Sequence, residues 1–96
     1  MHVISKKKLK DFWKRHPESQ RPLSAWFKIV RTRRHHTFSD LKHTFSTVDK
    51  VGDRIVFNIG GNKYRLIAVI QFDRCKIYVR HVLTHEEYDK GDRTHG

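Results

Sequence analysis

The first third of the chain repeats apolar residues at helical spacing. Leu9, Phe12, Trp13 and His16 stand at i, i+3, i+4 and i+7, one face of a helix that starts near Ser5. Pro17 ends it, because the residue before a proline is pushed out of α geometry. Ser19 is placed to cap a second helix, with Pro22 tolerated in its first turn, and Leu23, Trp26, Phe27 and Val30 repeat the spacing. Lys28 and Arg31 lie between those positions, and Arg33-Arg34-His35-His36 carries the basic character onward. The pattern predicts an antiparallel helix pair, apolar on one side and basic on the other. Residues 37–53 are mixed, with Phe38, Leu41 and Phe45 suited to one short helical turn at the core edge.

From Arg54 the period changes to alternation. Arg54–Ile59, Lys63–Phe72 and Cys75–Leu83 read as strands rich in Val, Ile, Phe and Tyr. Gly60-Gly61-Asn62 offers the positive φ of a tight hairpin, and Asp73-Arg74 a second turn. Thr84 is placed to cap a final turn, His85 to Asp89. A two-residue turn at 60–61 pairs Phe57 with Tyr64 and Ile55 with Leu66; one at 73–74 pairs Ile70 with Ile77 and Ala68 with Val79. Parity then assigns Ile55, Phe57, Ile59, Tyr64, Leu66, Ala68, Ile70, Phe72, Cys75, Ile77 and Val79 to the core face that the helices must cover. The opposite face carries Arg54, Asn58, Lys63, Arg65, Tyr78 and Arg80, with Val56, Ile67, Val69 and Val82 between them. Moving the first turn to Gly61-Asn62 changes partners but not faces. An aliphatic floor studded with cations suits a phosphate backbone.

Charge sharpens that reading. In 96 residues, 21 Lys+Arg against 10 Asp+Glu give a net +11, with eight histidines in reserve. This balance favours polyanionic partners: RNA, DNA, an anionic membrane or an acidic protein. The length fits a single domain spanning 1–96. Leu66 to Ile70, the longest apolar stretch, is far too short to span a bilayer. Met1-His2-Val3-Ile4 ahead of the lysines reverses the order of a signal peptide, so a cytoplasmic location with no membrane contact is expected. The single cysteine, Cys75, rules out an intrachain disulfide and any multi-cysteine zinc site. Histidine is abundant, and His81 and His85 are spaced i, i+4, but the HExxH pattern is absent and no metal or other cofactor is expected.

Two segments carry a more specific signal: Phe57-Asn58-Ile59-Gly60-Gly61-Asn62-Lys63-Tyr64-Arg65-Leu66, and Tyr78-Val79-Arg80-His81-Val82-Leu83-Thr84-His85-Glu86-Glu87-Tyr88-Asp89. Together with Met1-His2-Val3-Ile4-Ser5 and Leu41-Lys42 to Asp49, they resemble the HigB family of bacterial toxins, within the RelE-like superfamily. The resemblance implies an α+β fold, an N-terminal strand and helix pair packed on one face of an antiparallel β-sheet, with a short C-terminal helical turn. It also implies cleavage of messenger RNA during translation on the ribosome. Neutralisation would come from a HigA-like helix-turn-helix antitoxin, with operator DNA bound only through the antitoxin complex.

RNA cleavage without metal needs a base for the 2′-hydroxyl, cations for the five-coordinate phosphate and an acid for the leaving 5′-oxygen. The resemblance, carried over by position, assigns the cationic role to Arg65 and Arg80, which parity puts on the open face. It assigns proton transfer to His85, whose ordinary pKa near 6.5 suits it, and stacking or proton donation to Tyr88. Arg54, Lys63 and Lys90 are expected as further phosphate contacts. His81 falls on the core face as a packed rim residue, Cys75 as a small core residue, and Trp13, Trp26 and Phe27 as core rather than base-stacking platforms. Competing readings are a non-catalytic ParE-like toxin acting on DNA gyrase and a simple RNA- or ribosome-binding module. Arg65, Arg80, His85 and Tyr88 together favour the nuclease.

Overall fold

The computed structural model describes residues 1–90. Strand β1 (His2–Ile4) leads into helix α1 (Lys6–Arg15), a 3-10 turn at Pro17–Ser19 and helix α2 (Gln20–Thr32). Helix α3 (Phe38–Thr44) precedes β2 (Asp49–Val51), β3 (Arg54–Ile59), β4 (Tyr64–Gln71), β5 (Lys76–Thr84) and the terminal helix α4 (His85–Asp89). The five strands form one sheet in the order β1-β5-β4-β3-β2. β2 to β5 form the expected antiparallel sheet, and the N-terminal strand β1 adds to its edge parallel to β5, which makes the whole sheet mixed. Among the described residues no helix is long and apolar enough to cross a membrane.

The stripes predicted from spacing are the buried ones. Leu9 and Phe12 of α1, and Leu23, Trp26 and Val30 of α2, form one cluster with Ile55, Phe57, Leu66, Ala68, Ile77 and Val79 of the sheet. Trp26, 2% exposed, packs edge-to-face with Phe57, ring centres 5.3 Å apart, which identifies it as core. Trp13 and Phe27 pack against the same cluster. α3 starts with a capping box in which Thr37 Oγ1 accepts from the Asp40 N–H and Asp40 accepts from the Thr37 N–H.

The first hairpin turns one residue later than a two-residue turn at 60–61, pairing Ile59 with Tyr64 and Phe57 with Leu66. Gly60 and Gly61 both have positive φ, which strains any other residue at these two positions. At the second hairpin Ile70 faces Ile77 and Ala68 faces Val79 as expected, but then the register slips. Two residues of β5, Arg80 and His81, oppose the single Ile67, a β-bulge. Past the bulge the parity of β5 reverses. Val82 therefore turns into the core opposite Leu66, whereas unbroken alternation put it on the open face. His81, expected on the core face, lies opposite Ile67 on the face away from the helices. Cys75 is also displaced: it is exposed, with φ 53°, at the end of the turn before β5 rather than in the core.

One buried polar residue gives the fold a pH dependence. His35 is buried and its Nε2 pairs with Thr44 Oγ1 at 2.9 Å. Burial, with the Met1 ammonium second, holds its imidazole below the ordinary 6.5. The unfolded chain thus takes up a proton near that pH which the folded chain refuses. Stability from this residue is complete above the ordinary value and falls as the pH drops through it. Denaturant titrations between about pH 7.5 and 5.5 should show a shallower decline for His35→Gln than for the wild type. Parallel declines would remove His35 from the account.

Candidate active site

The bulge decides where β5 ends. Its last residues pair Leu83 with Arg65 and Thr84 with Tyr64, so α4 starts directly beside the 60–63 turn. Thr84 caps α4 reciprocally with Glu87, its Oγ1 accepting from the Glu87 N–H while Glu87 Oε1 accepts from the Thr84 N–H. The His85 N–H then donates to the Lys63 carbonyl at 2.8 Å and ties the helix to the turn. A short helix of this length holds no shape alone, and these bonds fix where its side chains point.

Arg65 is the centre of the cluster. Parity places it on the face away from the helices, yet it is only 8% exposed because α4 folds back over it. Its Nη1 donates to the Asn62 and Tyr64 carbonyls at 3.3 and 3.2 Å. Its Nη2 donates to Asn62 Oδ1 at 2.7 Å and meets His85 Nδ1 at 2.9 Å. The guanidinium carbon lies 5.6 Å from the centre of the Tyr88 ring. The carbonyls and the amide that hold it carry no charge, and the Asp89 carboxylate at the cluster meets His85 rather than the guanidinium. A buried cation whose neighbours supply no counter-charge is costly to maintain, and it is a ready seat for an anion.

His85 is held from both sides. A guanidinium has donors only, so Nδ1 must accept, and the ring proton sits on Nε2. That nitrogen lies 2.9 Å from Asp89 Oδ2, one helical turn on. An imidazole backed by a carboxylate, a fixed guanidinium and a phenol ring thus meet at the junction of β4 and α4. The residues Arg65, His85 and Tyr88 singled out from sequence come together there.

The remaining expected residues lie around this centre at different distances. Lys63 is exposed in the turn whose carbonyl anchors His85, and Lys90 is exposed next to Asp89. Arg80 is exposed at the bulge, where its carbonyl accepts from Lys8 Nζ at 2.9 Å. Leu83, not Arg80, faces Arg65, and three residues of strand put Arg80 roughly 10 Å further along β5. Arg54 is half-buried at the far end of β3, 3.5 Å from Asp53. It is four residues from Asn58, the partner of Arg65, or roughly 13 Å along the strand. The structure therefore does not bring Arg54 to the cluster. Sequence reasoning missed Asn62 and Asp89. Asp89 was within reach, being spaced i, i+4 from His85 on an expected helix. Among the described residues no three His, Cys, Asp or Glu side chains gather as a metal site would need.

A groove of about 670 Å³ lies apart from the cluster, lined by Val3, Lys6, Phe27, Arg31, Arg74 and Lys76 among others. Its charged side chains are all cations, so it lacks the acid–base pairing at Arg65.

A basic α+β chain with a guanidinium, imidazole and phenol gathered on a mixed sheet agrees with the known proteins it is similar to. The family described as HigB_toxin, the RelE-like toxic component of a toxin-antitoxin system, matches residues 19–91. The mRNA interferase toxin HigB of Escherichia coli strain K12 is 35% identical over 92 residues, covering 93% of this chain and 88% of the relative. The mRNA interferase HigB of Shigella flexneri aligns equally well, and that of E. coli O6:H1 is 29% identical over 93 residues, covering 94% and 90%. This chain belongs to the HigB toxin family.

Proposed function

We propose that this chain, acting as one domain in the cytoplasm, is an mRNA interferase: a metal-independent endoribonuclease that cuts messenger RNA as the ribosome translates it. The observation that carries the reading is Arg65, a buried guanidinium held by carbonyl and amide oxygens beside the His85 imidazole. The names of the relatives add the substrate class. In this mechanism the 2′-oxygen attacks the adjacent phosphorus, a five-coordinate phosphate forms, and the P–O5′ bond breaks to leave a 2′,3′-cyclic phosphate and a 5′-hydroxyl. Arg65 stabilises the charge gathering on the non-bridging oxygens, and His85 transfers a proton. Tyr88, whose ring lies under the guanidinium, holds a base or the leaving side of the phosphate in place. Arg80, Lys63 and Lys90 contact flanking phosphates, and Arg54 contributes at longer range through charge alone.

The exposed edge of the cluster, at His85 and Asp89, supports dependence on translation. A shallow cationic site has little means of holding single-stranded RNA in line for attack, so the ribosome supplies that orientation. One transcript with and without its start codon, incubated in a translating extract, should be cut only when it is translated. Equal cutting of both would remove the ribosome from the mechanism, and intact transcripts with stalled replication would favour action on gyrase. A HigA-like antitoxin with acidic and apolar surface is the matching partner for a +11 chain. Coexpression of the neighbouring gene product should restore growth and yield a copurifying complex.

A further inference from the structure

Both ring nitrogens of His85 are occupied, one by the guanidinium of Arg65 and the other by the carboxylate of Asp89. We infer that Asp89 is a positioning residue that locks His85 in its Nε2–H form, so that Nδ1 is the atom that takes the 2′-hydroxyl proton when Arg65 turns to the phosphate. The inference rests on the proposed nuclease reading and settles which proton role His85 plays within it.

The geometry carries the assignment in three steps. Nδ1 meets a group that can only donate, so it holds a lone pair at rest and His85 enters the reaction as a base. Nε2 is covered by Asp89, so the reacting nitrogen is the one that faces Arg65. Arg65 keeps its bonds to Asn62 and the Tyr64 carbonyl as anchors, while its contact with His85 is the one an incoming phosphate replaces with a stronger charge-assisted bond. Phosphate binding therefore uncovers Nδ1 where the substrate sits. The proton then passes from the 2′-oxygen to Nδ1 as O2′ bonds to phosphorus and the P–O5′ bond breaks. Solvent protonates the departing 5′-oxygen, and the imidazolium later returns its proton to solvent. Asp89 stabilises that imidazolium from the Nε2 side, the part a carboxylate plays behind a catalytic histidine.

Among the described residues, the charged groups that meet His85 are Arg65 from β4 and Asp89 from its own helix. Glu87 is committed to capping Thr84, and the turn contributes the Lys63 carbonyl rather than its ammonium. The competing account makes His85–Asp89 an ordinary exposed i, i+4 helix pair, which adds little stability and nothing to the reaction.

The test combines a ring-nitrogen measurement with a rate profile. Long-range ¹H–¹⁵N spectra of the His85 ring at neutral pH should show the Nε2–H form in the wild type and a mixture of tautomers in Asp89→Asn. In the translating extract, Asp89→Asn should cut single-turnover cleavage by about 10- to 100-fold and move the acid limb of the pH profile to lower pH, because the imidazolium has lost its carboxylate. Asp89→Glu should recover part of the rate. Glu86→Gln, which removes the same charge elsewhere on α4, should leave the limb in place. An Nδ1–H form in the wild type, or an Asp89→Asn enzyme with the wild-type rate and limb, overturns the inference while the nuclease reading stands. A wild-type chain with the Nε2–H form that cuts no translated message overturns the nuclease reading instead and leaves Asp89 setting the tautomer.

Discussion

Arg65→Ala should lower cleavage of translated messenger RNA by at least about a hundredfold, the loss expected when a preorganised stabiliser worth about 2.7–4 kcal/mol is removed from a transition state. The same change should also reach the fold. Arg65 is buried and joins the 60–63 turn, through Asn62, to α4, through His85. Removing it leaves the Asn62 and Tyr64 carbonyls without that donor, at a cost of about 1–3 kcal/mol. For a domain of this size that lowers Tm by roughly 4–8 °C per kcal/mol, with the chain still folded at growth temperature. Arg65→Lys separates the two effects, because lysine keeps the charge but cannot span Asn62 and His85 with one planar fork. It should be intermediate in rate and close to Arg65→Ala in stability. Arg80→Ala, at an exposed position three residues beyond Leu83, should leave Tm unchanged and raise KM more than it lowers kcat. Thermal unfolding beside single-turnover cleavage resolves all three variants. A fully active Arg65→Ala would mean that the buried guanidinium serves the fold alone.

What could be read in advance followed from periodicity that the structure keeps unbroken. Ile55, Phe57 and Ile59, then Tyr64, Leu66 and Ala68, alternate without interruption, and each lies where parity places it. The helical stripes and the Thr84 cap are equally local, so they too survive from sequence to structure. The bulge at Arg80 and His81 is not local in this sense. It inserts a residue without altering composition, and only the pairing of β5 with β4 exposes it. Val82 and His81 consequently exchanged faces relative to expectation. The strands β1 and β2 escape periodic detection because three residues are too few to display a period. The site was legible in part for the same reason. His85, Tyr88 and Asp89 share helical spacings, but the burial of Arg65 under α4, and its grip by Asn62 and His85, arise only when the chain reverses after β5.

Leu66→Asp and Val79→Asp should each unfold the protein. Leu66 is 0% exposed and Val79 2%, on neighbouring strands beneath the helices. An aspartate at either position buries a carboxylate with no cation at hand and also loses the packing of the deleted side chain, a combined cost of several kcal/mol. A domain of this length has only about 5–15 kcal/mol of total stability to lose. Val51→Asp supplies the contrast. Val51 is 49% exposed on the edge strand β2, so the change should stay within about 0.5 kcal/mol and leave a cleaner, more charged sheet edge. Val82→Asp and Leu83→Asp then test the bulge itself. With the bulge, Val82 points into the core at 9% exposure and Leu83 lies on the opposite face beside Arg65. Val82→Asp should therefore destabilise much more than Leu83→Asp, where the new carboxylate gains a guanidinium neighbour. An unbroken β5 would reverse that order, so soluble yield and denaturant midpoints for this pair decide the register of the strand that delivers His85 to Arg65.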